Sequence, residues 1–314
     1  MTAIVDCHTH TSFSDGASSF EENVRAAVEA GCSVLVSTDH LTLPESMNPE
    51  LDCQVPFARL GEHRAAFEAA RALAAELTGP GAPAREDGTK PVPLELVFGF
   101  ECDWYEGCEQ NVSRWSDGAV VRLGSVHWIG GPGDVTTGAA GTPGAAGTPQ
   151  AGLPGTDAGW IDYSEDRHVW ELLGPDEVWR RYVATWCRAC ESPLGFDSMA
   201  HPDLPMRFAN EGLAATIDLA PLWDEMTACA HDTGVRVEVS TAGLRKSVRG
   251  YYPAPGLLER FRRAEVPITV GSDAHRACDI CWGIRDAFRY AAAVGYRAVE
   301  VPHADGSWES LALE

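Results

Sequence analysis

The chain has 314 residues, 45% of them hydrophobic, and a formal net charge of -22. That is enough apolar material for a sizeable core, in a length that one barrel of alternating strands and helices can fill as a single domain. So acidic a surface argues against polyanionic partners, because it repels nucleic-acid backbones and anionic lipid.

In chain order, an apolar run over residues 3–7 predicts the first strand, with no basic stretch before it. A helix follows over 18–30, opened by a capping box at Ser19-x-x-Glu22 or Ser18-x-x-Glu21 and stopped by Gly31. Further strands are expected over 33–38, 94–101, 120–126, 194–200, 235–240 and 266–271, with a short extra run over 298–301. Helices are expected over 57–77, 176–190, 219–233, 255–264 and 284–294. The alternation predicts a parallel sheet, open or closed into a barrel. Residues 79–93 read as a surface connection, and 130–159 as a Gly/Pro/Ala-rich flexible insertion that cannot bury a core. No apolar run reaches membrane-spanning length. The expectation is a cytoplasmic protein, residues 1–314 forming one domain, its ten cysteines present as thiols.

The polar residues at the strand ends carry the chemistry. His8, His10 and Asp15 follow the first strand, and Asp39 and His40 the second. Glu101 ends the third, His127 the fourth and His201 the fifth; Asp273 and His275 follow the seventh. In a parallel barrel these ends share one face, where active sites sit. The spacings His8-x-His10 and Asp273-x-His275 put each pair on one side of an extended backbone. Imidazole suits zinc, iron and similar ions, and a carboxylate can bridge two of them. Six of the ten histidines fall at strand ends beside these acids, which points to a cluster for two or three metal ions. The other four, His63, His168, His231 and His303, read as solvent-exposed.

The order His-x-His, Asp, Asp-His, Glu, His, His-Pro, Asp-x-His resembles the PHP (polymerase and histidinol phosphatase) family. The match runs from residue 4 to about residue 290. Gly124-Ser125-Val126-His127-Trp128, Ala200-His201-Pro202-Asp203-Leu204 with Arg207-Phe208, the run 238–246 and Val270-Gly271-Ser272-Asp273-Ala274-His275 are most similar to its histidinol-phosphatase branch. The resemblance implies an α/β fold, a distorted (β/α)7 TIM-like barrel, with three divalent metal ions (zinc, iron or manganese). One ion would be held by His8, His10, Glu101 and Asp273. A second would be held by Glu101, His127 and His201, and the third by Asp15, His40 and His275. It implies a phosphoric monoester hydrolase acting on histidinol phosphate by metal-activated hydroxide attack. Another small phosphate ester of specialised metabolism is the alternative, because the insertion and the Cys278–Trp282 rim depart from the family pattern.

The implied partner is a small phosphorylated molecule, not nucleic acid or a membrane. Asp273, His275 and Glu101 are the expected catalytic residues. Arg207 and Arg245, with Lys246 a weaker candidate, are expected to bind the substrate, since guanidinium groups pair bidentately with phosphate. Asp39 is expected to orient a ligand. Glu238 and Ser240 either face the substrate or are structural. The Cys187/Cys190 and Cys278/Cys281 pairs have the count of a zinc site, but nothing in their spacing joins them.

Overall fold

The structure, a computed structural model, describes residues 3–41, 53–85, 88–130, 157–164 and 167–313. Seven strands pair in chain order, every pair parallel: β1 (Ile4–Asp6), β2 (Cys32–Ser37), β3 (Glu95–Asp103), β4 (Val121–Ser125), β5 (Ser198–Met199), β6 (Arg236–Ser240) and β7 (Ile268–Gly271). Backbone bonds between the first and last strands close the ring. Cys7 N donates to Val270 O at 3.0 Å and Asp273 N to His8 O at 2.9 Å. Thr9 then bridges Ala274 in parallel. The result is the distorted (β/α)7 barrel that the resemblance implies.

The helices lie between the strands: α1 (Phe20–Ala30), α2 (Leu60–Thr78), α3 (Glu109–Trp115), α4 (His168–Leu173), α5 (Pro175–Cys190), α6 (Ala220–Thr233), α7 (Ala242–Arg245), α8 (Pro255–Arg263) and α9 (Ile284–Val294). The Ser19 capping box opens α1. Glu22 N donates to Ser19 Oγ, and Ser19 N donates to Glu22 Oε2 at 2.7 Å. Gly31 closes the helix at φ 73°, a left-handed turn that a side chain would strain. On α5, the spacing of Trp179, Tyr182 and Trp186 puts all three on the buried face. Burying each such side chain contributes about 1.5–3 kcal/mol.

Three differences from the sequence reading have local causes. The fifth strand, expected over 194–200, is only Ser198–Met199. Gly195 turns the chain at φ 61°, and the Asp197 side chain, not its backbone, accepts from Arg122 N at 2.8 Å. The run at 298–301 forms β8 (Ala298–Pro302) outside the barrel. It pairs antiparallel with β9 (Trp308–Ala312), a short, largely exposed strand absent from the sequence reading. The insertion expected at about 130–159 lies mostly on residues 131–156, outside the described residues. Its flanks, Trp128–Ile129 and Gly159–Trp160, pair antiparallel just beyond β4. Among the described residues no helix is long and apolar enough to cross a membrane.

Candidate metal centre

Side chains at the carboxyl ends of the strands meet in four overlapping groups, one of which joins His40 and His127 to Asp103; the other three hold expected ligands only. In the first, His8 Nε2 lies 3.0 Å from His10 Nε2 and 2.9 Å from Glu101 Oε2. Asp273 Oδ1 is 3.2 Å from the same His10 nitrogen. In the second, His201 Nε2 is 3.0 Å from Glu101 Oε1 and 3.2 Å from His127 Nε2. The two oxygens of Glu101 thus face different groups. In the third, Asp15 Oδ2 lies 3.0 Å from His275 Nε2 and 3.8 Å from His40 Nε2. His10 belongs to this group as well as to the first.

The donor chemistry fits metal ions. Each group collects imidazole nitrogens and carboxylate oxygens around a common point. Donors on one tetrahedral ion, each about 2.0–2.2 Å from it, lie ~3.3 Å apart, close to the spacings of the first two groups. His10 Nδ1, His40 Nδ1 and His201 Nδ1 are buried with no hydrogen-bond partner among the described residues. Exposure rises from floor to mouth: His8 and His10 are 0% exposed and Glu101 1%, whereas His275 is 30% and Asp15 33%. His201 and Asp273 have φ of 25° and 52°. A non-glycine residue in that region is strained, and such strain clusters at functional sites.

Carboxylates behind the cluster hold it in place. Glu238 Oε1 accepts from His8 Nδ1 at 2.9 Å, and its other oxygen accepts from His201 N at 2.9 Å. A carboxylate behind an imidazole fixes the ring tautomer and raises its basicity. Glu238 thus braces two members of the cluster, His8 and His201. Gly271 makes room for this pair, since it lies directly against Glu238 and His8. Asp39 does not reach the His40 ring. It accepts from Thr11 N, Thr11 Oγ1, Ser14 Oγ and His63 Nε2, and so fixes the loop between His10 and Asp15.

That bond corrects the reading of His63 as exposed: it is fully buried, on the inner side of α2. His168 and His303 are half-buried, and His231 is exposed. Two residues escaped the sequence reading. Asp103 accepts from His127 Nδ1 and lies 3.6 Å from His40 Nδ1. Its position two residues after Glu101 on the same strand was the available signal. Asp6 accepts from Ser272 N, Ser272 Oγ and Cys281 N, tying β1 to the loop that carries Asp273 and His275.

The electrostatics follow from five buried or half-buried acids among six imidazoles. Burial opposes charge on His8, but Glu238, Glu101 and Asp273 outweigh it and hold its pKa well above the ordinary value. For His127, burial is likewise overcome, chiefly by Asp103, and the pKa is raised to about 9. Burial also opposes the charge on Glu101, whose pKa the surrounding imidazoles nonetheless hold well below the usual range. Protons and metal ions compete for such sites.

Of the candidate substrate residues, Arg245 touches the backbone of the loop that carries Asp273. Arg245 donates to Ser272 O at 2.6 Å and Asp273 O at 3.1 Å, with its guanidinium over Trp282. Arg207 donates to Ser247 Oγ at 2.9 Å. Lys246 is exposed. All ten cysteines are free thiols, and the two Cys-x-x-Cys pairs do not meet; Cys187 contacts Cys229, and Cys281 contacts Cys32.

A closed parallel barrel whose strand ends gather imidazoles and carboxylates into one buried cluster defines a metal-dependent barrel enzyme. The sequence model of the PHP domain matches residues 6–242, and the chain belongs to that family. A Deinococcus radiodurans protein described as a probable histidinol-phosphatase is 27% identical over 308 residues, covering 96% of this chain and 98% of the relative. The structure of histidinol phosphate phosphatase from Lactococcus lactis, complexed with zinc, L-histidinol and phosphate, superposes with a TM-score of 0.63 at 16% identity. That alignment covers 97% of this chain and 98% of the other. A HisK structure from Listeria monocytogenes gives a TM-score of 0.66 at 18% identity, covering 89% of this chain and 98% of that one.

Proposed function

We propose that the chain is a metal-dependent phosphatase that hydrolyses a small phosphate monoester, namely histidinol phosphate, to histidinol and inorganic phosphate. The observation that carries this reading is the convergence of nine imidazoles and carboxylates on one buried cluster in a PHP-family barrel. The end-to-end match to the Deinococcus relative supports the choice of ester.

His8, His10, Glu101 and Asp273 would hold one ion, Glu101, His127 and His201 a second, and Asp15, His40 and His275 a third. Zinc, iron and manganese all suit this donor set. Bound ions supply positive charge for the phosphoryl oxygens and lower the pKa of a coordinated water. The chain's own side chains do the rest. Glu101, at 1% exposure, is shared between two groups and fixes their spacing. Asp273 and His275 lie towards the mouth, at 12% and 30% exposure, where a leaving oxygen can take up a proton. Arg207 and Arg245, with Lys246 at the rim, orient the phosphate and offset the chain's negative charge near it.

Turnover of a panel of small phosphate monoesters with zinc, iron or manganese present tests this. Histidinol phosphate should give the highest kcat/KM. Preference for another ester would move the reading to a different small substrate, and no turnover of any would sink it. His8→Ala should abolish activity, since it removes a nitrogen from the most buried group; turnover like the wild type's would refute the assignment.

A further inference from the structure

The sixth strand contributes no expected metal ligand, yet one side chain from a later loop is fastened to its carboxyl end. Tyr252 N donates to Ser240 O at 3.1 Å, and Ser240 N donates to Tyr252 O at 2.7 Å. This antiparallel bridge brings Tyr252 to the same end of the barrel as the metal cluster. Its ring packs edge-on against the His201 imidazole, with centroids 6.3 Å apart. The residue is 2% exposed, and its hydroxyl has no hydrogen-bond partner among the described residues. Leaving a buried hydroxyl unpaired is unfavourable, and a partner that arrives with a ligand would remove that penalty. The charged groups that act on this phenol are Asp203, Arg207, Asp162 and Asp273. An arginine expected to bind phosphate and a carboxylate of the cluster are thus both within electrostatic reach of it.

We propose that Tyr252 is a substrate-contacting residue whose hydroxyl donates a hydrogen bond to a phosphoryl oxygen held beside His201. The proposal rests on the phosphatase reading and adds a neutral donor to the charged groups already assigned there. The phenol suits this role as a neutral donor, since a tyrosine hydroxyl ordinarily keeps its proton near neutral pH. Asp203 also accepts from Ala254 N at 2.7 Å, which fixes the chain just after Tyr252.

The test is Tyr252→Phe, which keeps the ring against His201 and removes only the oxygen. Binding of inorganic phosphate to the metal-loaded protein is measured by calorimetry, alongside metal content and Tm. Phosphate should bind the variant roughly tenfold or more weakly, with metal content unchanged. Phosphate affinity equal to the wild type's would overturn the proposal, whatever happens to Tm. Wild-type protein that binds phosphate but leaves histidinol phosphate intact would defeat the substrate assignment and leave Tyr252's role standing. Wild-type protein that binds no phosphate would defeat both.

Discussion

A β-carbon at position 271 would lie 2.1 Å from Glu238 Oε1 and 2.5 Å from the His8 β-carbon. Neither neighbour can withdraw, because their mutual bond positions a ring of the first metal group. Gly271→Ala should therefore cost about 1–3 kcal/mol by overpacking. It should also weaken metal retention by about 10–100-fold, as loss of a ligand's supporting partner does. Thermal melts and metal content after dialysis against a chelator measure the two effects; unchanged retention would show that His8 does not depend on this contact. Strand-end position and the His-x-His spacing picked out nine residues that the barrel brings together at one end. Their supporting residues were not picked out, because His63 and Asp103 pair with partners that only the closed barrel brings close. The signal available for His63 was its helical spacing from Phe67, Ala70 and Ala74, which share its buried face of α2.

The β8–β9 hairpin lies outside the barrel, packed onto it through Val299 and Val301, and a histidine ties it to β3. Glu95, at the start of β3, accepts from His303 Nδ1 at 2.7 Å and from Ala304 N at 2.7 Å. The bond to Glu95 raises the His303 pKa above its ordinary value. A raised histidine pKa stabilises the fold fully below the unfolded value of about 6.5. That contribution is lost as pH climbs through the higher folded value. The Tm gap between wild type and His303→Gln should thus be wider at pH 6 than at pH 9, and a gap that does not narrow would show the tie to be uncharged. Elements with a clear period, such as α1, α5 and α9, were legible almost to the residue. Strand β9 was not, because Trp308–Ala312 is short, has no clear alternation and pairs only with β8 among the described residues. The shortness of β5 was hidden as well, because it depends on a side chain of Asp197 taking a backbone's place.

For the whole molecule, a formal charge of -22 sets the approach of an anionic substrate. Long-range repulsion is screened once the Debye length shrinks to about 10 Å near 0.1 M salt. The kcat/KM for an anionic aryl phosphate should therefore rise as potassium chloride is added from low ionic strength. A fall would mean that the field of the local arginines and metal ions governs encounter instead. The ring closure has a further consequence, in time. The His8–Glu238 bond spans 230 positions and the Asp6–Ser272 bond 266. The ligands of the first group thus come from both ends of the synthesis order. During translation a nascent chain exposes His8 and His10 long before Asp273 exists, so its early histidines cannot form that group. Completion of that first group waits for residue 273, whereas Glu101, His127 and His201 have all been synthesised earlier.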